Sequence, residues 1–286
     1  MNVLSLFDGM SCGQLALNKA NIKYNNYFTS EIDKFCIQVA KLNYPNTINL
    51  GDVSHIDFST DFPFFDLLLG GSPCQGFSNA GKKLGFKDKR SQYFFDYVRI
   101  KNKLKPSWFL YENVKMKKEY ENIISKELGV KPIEVNSNLV SAQNRKRLYW
   151  TNISFKIPKD KNILFKDIKE KNVNDKYYYS DKMLNWIHKH SKRKNKKLRI
   201  QKDNEKVQMI EGSHGKGCSS QRFFGIPDRK GLRYITPLEC ERAQTVPDFY
   251  TASVSKTQRY KMLGNGWTIN VIAHILKNIN KGETNA

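Results

Sequence analysis

The sequence predicts an α/β fold of the Rossmann-like, doubly wound kind. Three observations carry that prediction. Short apolar runs alternate with helix-like segments through the first half of the chain, several of those runs end on glycine or a carboxylate, and the C-terminal stretch regains an amphipathic helical pattern. At 286 residues the chain can bury a sizeable core in one large or two modest domains.

Taken in order, "NVLSLF" (2–7) reads as a strand and "GQLALNKA" (13–20) opens a helix. "NYFTSEID" (26–33) is a second strand, "KFCIQVAKLNY" (34–44) a second helix and "TINLGDV" (47–53) a third, short strand. "FDLLLGG", "SWFLYENV" and "RLYWTNI" continue the series. Between the first two of these, residues 91–104 read as a helix, because Phe94, Phe95, Val98 and Leu104 recur near helical spacing. From 173 to 255 Lys, Asn, Gly and Ser dominate and the rhythm is lost. The expected organisation is therefore a domain over 1–172, a second over 173–255, and a C-terminal element over 256–286 that returns to the first. Val271, Ile272, Ile275, Leu276 and Ile279 form its apolar face.

Charge narrows the function. Forty-nine Lys and Arg against 27 Asp and Glu give a formal +22, which predicts attraction to a polyanion. Residues 182–202 hold nine Lys or Arg and no acid, interleaved with Trp186, His188 and His190, and read as a nucleic-acid surface. Five cysteines without a CxxC pair argue against a disulfide framework or a zinc knuckle, so no metal is expected. No apolar run approaches a membrane span and the N-terminus lacks a basic leader, so the expectation is a cytoplasmic protein with no membrane partner.

In open α/β sheets ligands sit beyond the carboxyl ends of the strands. There the sequence offers the glycine turn "LFDGMSCG", then Glu31, then Asp52: backbone and two carboxylates, a set that suits a neutral or cationic nucleoside better than a triphosphate. "GFSNAGK" (76–82) mimics the start of a phosphate-binding loop, yet Lys83 stands where a Ser or Thr should hold magnesium. Cys74 is harder to explain as packing. It follows a short leucine strand and "GGSP", and polar, glycine-rich sequence follows it. Cys12, Cys36 and Cys240 are read as small buried hydrophobes.

"GGSPCQGFS", "YENV" and "AQNRKRLYW", in that order, resemble the DNA cytosine-5 methyltransferase family, and "ITPLECERAQTVPDFY" and "LGNGWTINVIAHI" continue the likeness over most of the chain. The resemblance implies a Rossmann-like S-adenosylmethionine-dependent methyltransferase fold with a smaller, irregular target-recognition domain. It also implies transfer of a methyl group to carbon 5 of a flipped-out cytosine, with S-adenosylhomocysteine as product. Carbon 5 is a poor nucleophile, so a thiolate must first add to carbon 6; Cys74 would do this. Glu112 would contact N3 and the exocyclic amine, protonated or sharing a proton. Arg145 would hold O2, and Arg147 a phosphate and the thiolate.

The resemblance lays the methionine part of the cofactor along Phe7, Asp8, Gly9 and Gly13, the ribose on Glu31 and the adenine at Ile32, Asp52 and Val53, with Asn265 closing the pocket. On duplex DNA it places Gln75, Ser78 and Gln143. Lys192, Arg193 and Lys194 are expected on phosphates, and His214, Gln221 and Arg222, within 211–231, on base edges. The enzyme is expected to act as a monomer on double-stranded DNA, alone or beside a cognate restriction endonuclease. Two alternatives accompany this reading: a transfer-RNA methyltransferase of the same family, and an inactive DNA-binding relative.

Overall fold

The computed structural model describes residues 1–58, 62–73, 89–193, 198–212 and 224–279, the side chains of 89–90 and 191–193 excepted. The first half runs β1 (Asn2–Leu6), α1 (Cys12–Ala20), β2 (Asn26–Ser30), α2 (Lys34–Asn43), β3 (Ile48–Asn49), β4 (Leu67–Gly70), α3 (Tyr93–Leu104), β5 (Trp108–Val114), α4 (Lys118–Leu128), β6 (Ile133–Asn136) and β7 (Lys146–Thr151). There follow α5 (Phe165–Ile168), α6 (Asp181–Arg193), β8 (Arg199–Ile200), β9 (Phe224–Asp228), β10 (Gly231–Arg233), α7 (Pro237–Ala243), α8 (Lys256–Asn265) and α9 (Ile269–Leu276). No described helix is long and apolar enough to cross a membrane.

The chain divides into two compact units. The first comprises Met1–Ser137, Lys146–Pro158 and the segment from Ile269 onward; the second comprises Asn138–Arg145 and Lys159–Thr268.

The first unit is built on a seven-stranded sheet in the order β3-β2-β1-β4-β5-β7-β6. β1 pairs in parallel with β2 and β4, and β4 with β5, whereas β7 lies antiparallel to both β5 and β6. The strand expected at 147–153 therefore does not extend the parallel series, and β6 and α4 join the predicted elements. Strands buried on both faces read as continuous apolar runs, and Leu67, Leu68 and Leu69 of β4 are fully buried. The core beside them is aromatic: Tyr111 on β5 packs against Phe94, Tyr97 and Trp150 with ring centroids 4.9–5.8 Å apart. On α3, Phe94 and Val98 are buried as expected, with Tyr97 and Ile100, while Phe95 is left exposed. α9 buries Ile269, Val271, Ile272, Ile275 and Leu276, and packs against α1.

The sheet order reverses between β1 and β4. Such a switch point opens a crevice beyond the strand ends, so the loops after β1 and β4 define where a ligand belongs.

The second unit holds a three-stranded sheet, β10-β9-β8. At the end of β10, Arg233, fully buried, forks onto Glu239 at 2.7 and 2.9 Å and reaches Asp228 at 2.6 Å. Glu239 also closes a capping box with Thr236, and Pro237 opens the helix, so "TPLE" starts α7 by local chemistry.

Candidate active site

The loop after β1 is shaped by three residues with left-handed backbone, Phe7, Gly9 and Ser11. Gly9 donates its N–H to Glu31 Oε2 at 2.7 Å, and Glu31 Oε1 accepts from Ile32 and Asp33 at 2.9 and 2.8 Å. The carboxylate at the end of β2 thus holds the β1 turn in place and keeps acceptor capacity for a further donor. Asn49, which the sequence reading did not single out, fixes it from the other side: its Oδ1 accepts from Glu31 N and Thr29 Oγ1, both at 3.2 Å, and its Nδ2 donates to Glu31 O. Its position at the carboxyl end of β3 was the available signal. Asp8, Gly9, Thr29, Glu31, Lys41 and Asn49 line a pocket here.

Other expected cofactor residues divide by role. Ile32 is 67% exposed, an apolar surface next to Glu31. Asp52 caps the turn Val53–His55, accepting from Ser54 N at 2.9 Å, and Val53 is buried, its carbonyl accepting from Arg99. Gly13 serves packing: a Cβ there would sit 2.1 Å from Tyr27 Oη and 2.8 Å from Leu69 Cδ1. Asp8 is buried, and burial pushes its pKa up to about 6, against a hydrogen bond from Tyr27 Oη at 2.9 Å that favours the carboxylate. Asn265 is exposed at the end of α8, in the second unit.

Cys74, Gln75 and Ser78 lie outside the described residues, but the stem that leads into them does not. Ser72 is buried, its Oγ 2.6 Å from Tyr111 Oη, while Asn113 Nδ2 donates to Tyr111 Oη at 3.0 Å and to Ser72 O at 3.4 Å. The last described turn before Cys74 is thereby fastened to β5 on both sides of Glu112. Gly70 permits the approach, since a Cβ would come within 2.8 Å of the Tyr97 ring.

Glu112 sits on β5 opposite Tyr149, and Arg147 opposite Val114, so the two are diagonal neighbours on one face of the antiparallel pair. Arg147 Nε lies 3.0 Å from Glu112 Oε1, with each side chain about one-tenth exposed, and Arg147 Nη1 donates to Lys146 O. β7 therefore supplies the cation beside the β5 carboxylate.

Gln143 and Arg145 belong to the second unit and are turned into its interior. Gln143, expected on DNA, is fully buried: its Nε2 donates to Ala243 O and Gln244 Oε1, both at 3.0 Å, and its Oε1 accepts from Ile210 N at 2.8 Å. Arg145, expected on the base, donates to Ile210 O, Gly264 O and Gly266 O at 2.9–3.1 Å. Of the expected DNA contacts, Lys194, His214, Gln221 and Arg222 lie outside the described residues, as do the side chains of Lys192 and Arg193 at the end of α6. Cys12, Cys36 and Cys240 are buried free thiols. Among the described residues no His, Cys, Asp and Glu group could hold a metal ion.

Fold and site define the class first: this is the S-adenosylmethionine-dependent methyltransferase fold. It superposes on the Entamoeba histolytica methyltransferase EhMeth with a TM-score of 0.79, at 16% identity over 99% of both chains. It superposes on a putative DNA modification methyltransferase encoded within an E. coli prophage with 0.72, at 21% identity over 98% and 99%. The family model of C-5 cytosine-specific DNA methylases matches residues 1–281. The chain belongs to that family and is a DNA (cytosine-5-)-methyltransferase. It is 33% identical over 299 residues to the Type II methyltransferase M1.ScrFI of Lactococcus lactis subsp. cremoris, covering 94% of this chain and 75% of the relative. To M.HpaII of Haemophilus parainfluenzae it is 30% identical over 311 residues, covering 94% and 86%.

Proposed function

We propose that the protein methylates carbon 5 of a cytosine extruded from a specific duplex DNA sequence, through a covalent bond from Cys74 Sγ to carbon 6. The observation that carries this reading is the Ser72–Tyr111–Asn113 network. It ties Ser72, two residues before Cys74 in the sequence, to the strand that bears Glu112, which supports a reading in which nucleophile and acid act together. Glu112, steadied by Arg147, contacts N3 and the exocyclic amine of the cytosine and supplies the proton as electron density enters the ring. A base then removes the carbon 5 proton and the thiolate leaves.

S-adenosylmethionine supplies the electrophilic methyl group. The residues present suit it: Glu31 has acceptor capacity for ribose hydroxyls, the exposed Ile32 offers an apolar face to adenine, and the Phe7–Gly9 backbone borders the methionine part. Asp52 and Val53 would act through the turn they shape, and Asn265 would close the site. In this reading residues 173–255 recognise the target, with Lys192, Arg193 and Lys194 on phosphates and His214, Gln221 and Arg222 on bases. Gln75 and Ser78 would face the DNA beside Cys74. The enzyme works in the cytoplasm as a monomer on DNA, alone or beside a restriction endonuclease.

Labelled S-adenosylmethionine offered with duplex DNA or with RNA separates the DNA reading from the transfer-RNA alternative. Duplex DNA carrying 5-fluorocytosine at the target should then trap a covalent complex, because fluorine blocks the final proton removal. Cys74→Ser should abolish the adduct while cofactor and DNA still bind. Methylation by Cys74→Ser near the parental rate would refute the covalent mechanism.

A further inference from the structure

Asp8 lies in the β1 turn between the left-handed residues Phe7 and Gly9, yet its side chain is turned back into the first unit. It is only 7% exposed, and its Oδ1 accepts from Tyr27 Oη on β2 at 2.9 Å. Bulky residues in left-handed backbone are strained, and such strain persists only where the surroundings hold it. Three side chains hold this turn: Glu31 accepts from Gly9 N at 2.7 Å, Gln14 Nε2 donates to Ser11 Oγ at 2.9 Å, and Tyr27 fastens Asp8. The turn therefore carries a buried carboxyl at a fixed place.

A carboxylate removed from water is unfavourable unless donors meet it. Burial pushes the Asp8 pKa up to about 6, while the hydroxyls of Ser5, Tyr27 and Ser11 oppose the rise. Ser5 Oγ, buried on β1 and otherwise without a hydrogen-bond partner among the described residues, is a donor in reserve for the ionised form. Around the Asp8–Tyr27 pair stand Glu31 at the end of β2, whose charge also disfavours ionisation, the Cys12 thiol of α1, and Lys41 of α2, which lines the same pocket. Tyr24, Tyr27 and Tyr44 complete the surroundings; burial pushes all three upward, Tyr44 to about 12, so none of them titrates near neutrality. Asp8 is thus poised between two charge states by its place in the fold. S-adenosylmethionine and its product differ in charge at one atom, the sulfur, which is a cationic sulfonium in the first and a neutral thioether in the second. A cation near the turn favours the carboxylate, and a neutral group does not.

We infer that Asp8 is a specificity-determining residue whose carboxylate, held beneath the β1 turn by the positioning residue Tyr27, favours the cationic cofactor over its neutral product. The inference rests on the proposed function, in which the backbone of this turn borders the methionine part of the cofactor. Once the methyl group has been transferred, Asp8 has no cation to hold, and the site favours release.

Dissociation constants of S-adenosylmethionine and S-adenosylhomocysteine, measured by titration calorimetry on the full chain between pH 5 and pH 8, test this. In the parent the ratio of product Kd to cofactor Kd should rise about threefold or more across that range, with its midpoint near 6. Near that midpoint more protons should be released on binding the cofactor than on binding the product, read from the buffer dependence of the heat. Asp8→Asn should make the ratio independent of pH. Tyr27→Phe removes a donor that favours the carboxylate, so the midpoint should move to higher pH, which a residue that merely packs would not cause. A parent ratio that stays constant while both molecules bind, or a pH dependence that persists in Asp8→Asn, would overturn the inference. If Asp8→Asn fails to fold, Tyr27→Phe decides, and an unmoved midpoint overturns it. If neither variant folds, the pair serves stability alone and the inference fails. A parent that binds neither molecule at any of these pH values overturns the assignment of the cofactor itself, and this inference with it.

Discussion

Folding removes the Asp8 carboxyl from water, and the consequence depends on pH. Its folded pKa of about 6 lies above the ordinary 3.8, so the folded state takes up a proton more readily than the unfolded chain. The resulting stabilisation is complete below the unfolded value and is lost as pH rises through 6, a difference of about 3 kcal/mol at neutral pH. Asp8→Asn, which retains an acceptor for Tyr27, should therefore raise the melting temperature, and the gain over the parent should grow between pH 5 and pH 8. A gain independent of pH would show that Asp8 stays ionised in the folded protein. Glu112 carries the opposite expectation. Glu112→Gln keeps the shape but removes the proton supply, so single-turnover methylation should slow roughly 100-fold or more with DNA affinity retained in filter binding. These two acids were visible in the sequence as residues at strand ends. That Asn49 braces Glu31, or that Ser72 and Asn113 meet on Tyr111, was not, because each pairing joins strands that lie side by side in the sheet and far apart in the chain.

Elements were legible where the pattern is local. β1, β2, β4 and β5 are apolar runs ended by turn chemistry, and Asp33 caps α2 by accepting from Phe35 N, so their limits could be read to within a few residues. β3 is shorter than "TINLGDV" suggested, because Asn49 and Gly51 turn the chain toward Glu31. The direction of β7 could not be read at all: a strand's sequence does not say whether it lies parallel or antiparallel to its neighbour, and β6 and β7 are exchanged in spatial order. α6 takes up the first part of the basic run, to Arg193, and Trp186 and His190 stack on it at 4.0 Å. Neutralising Lys192, Arg193 and Lys194 together should weaken binding to all duplexes alike. It should also flatten the log affinity against log salt plot by about 0.9 for each phosphate that is no longer neutralised. Weakening confined to the target duplex would make these residues base readers.

For the whole molecule, the second compact unit and the second domain expected from composition have different limits. The second unit takes in Asn138–Arg145 and begins again at Lys159, whereas the stretch expected to choose the target is 173–255. Exchanging 173–255 for the corresponding segment of a relative with another specificity should move methylation to the relative's site, read by bisulfite sequencing. The exchange carries Gln244 away but leaves Gln143 and Arg145 behind, so donors with glutamine at the position of Gln244 should give the active chimeras. An active chimera that kept the original site would place specificity elsewhere.

The packing of α9 on α1 joins helices that lie on either side of the second unit in sequence. During synthesis α1 emerges before the second unit and its partner α9 after it, so the apolar face of α1 has no native cover until the second unit has been made. β6, likewise, has no neighbour in the sheet until β7 arrives. Pairings this distant in sequence close slowly, and partly made chains expose strand edges and apolar helix faces. The first unit thus cannot finish folding on the ribosome ahead of the second. A premature stop shortly before Ile269 would release a chain that holds every proposed catalytic residue and still lacks the helix that completes its core.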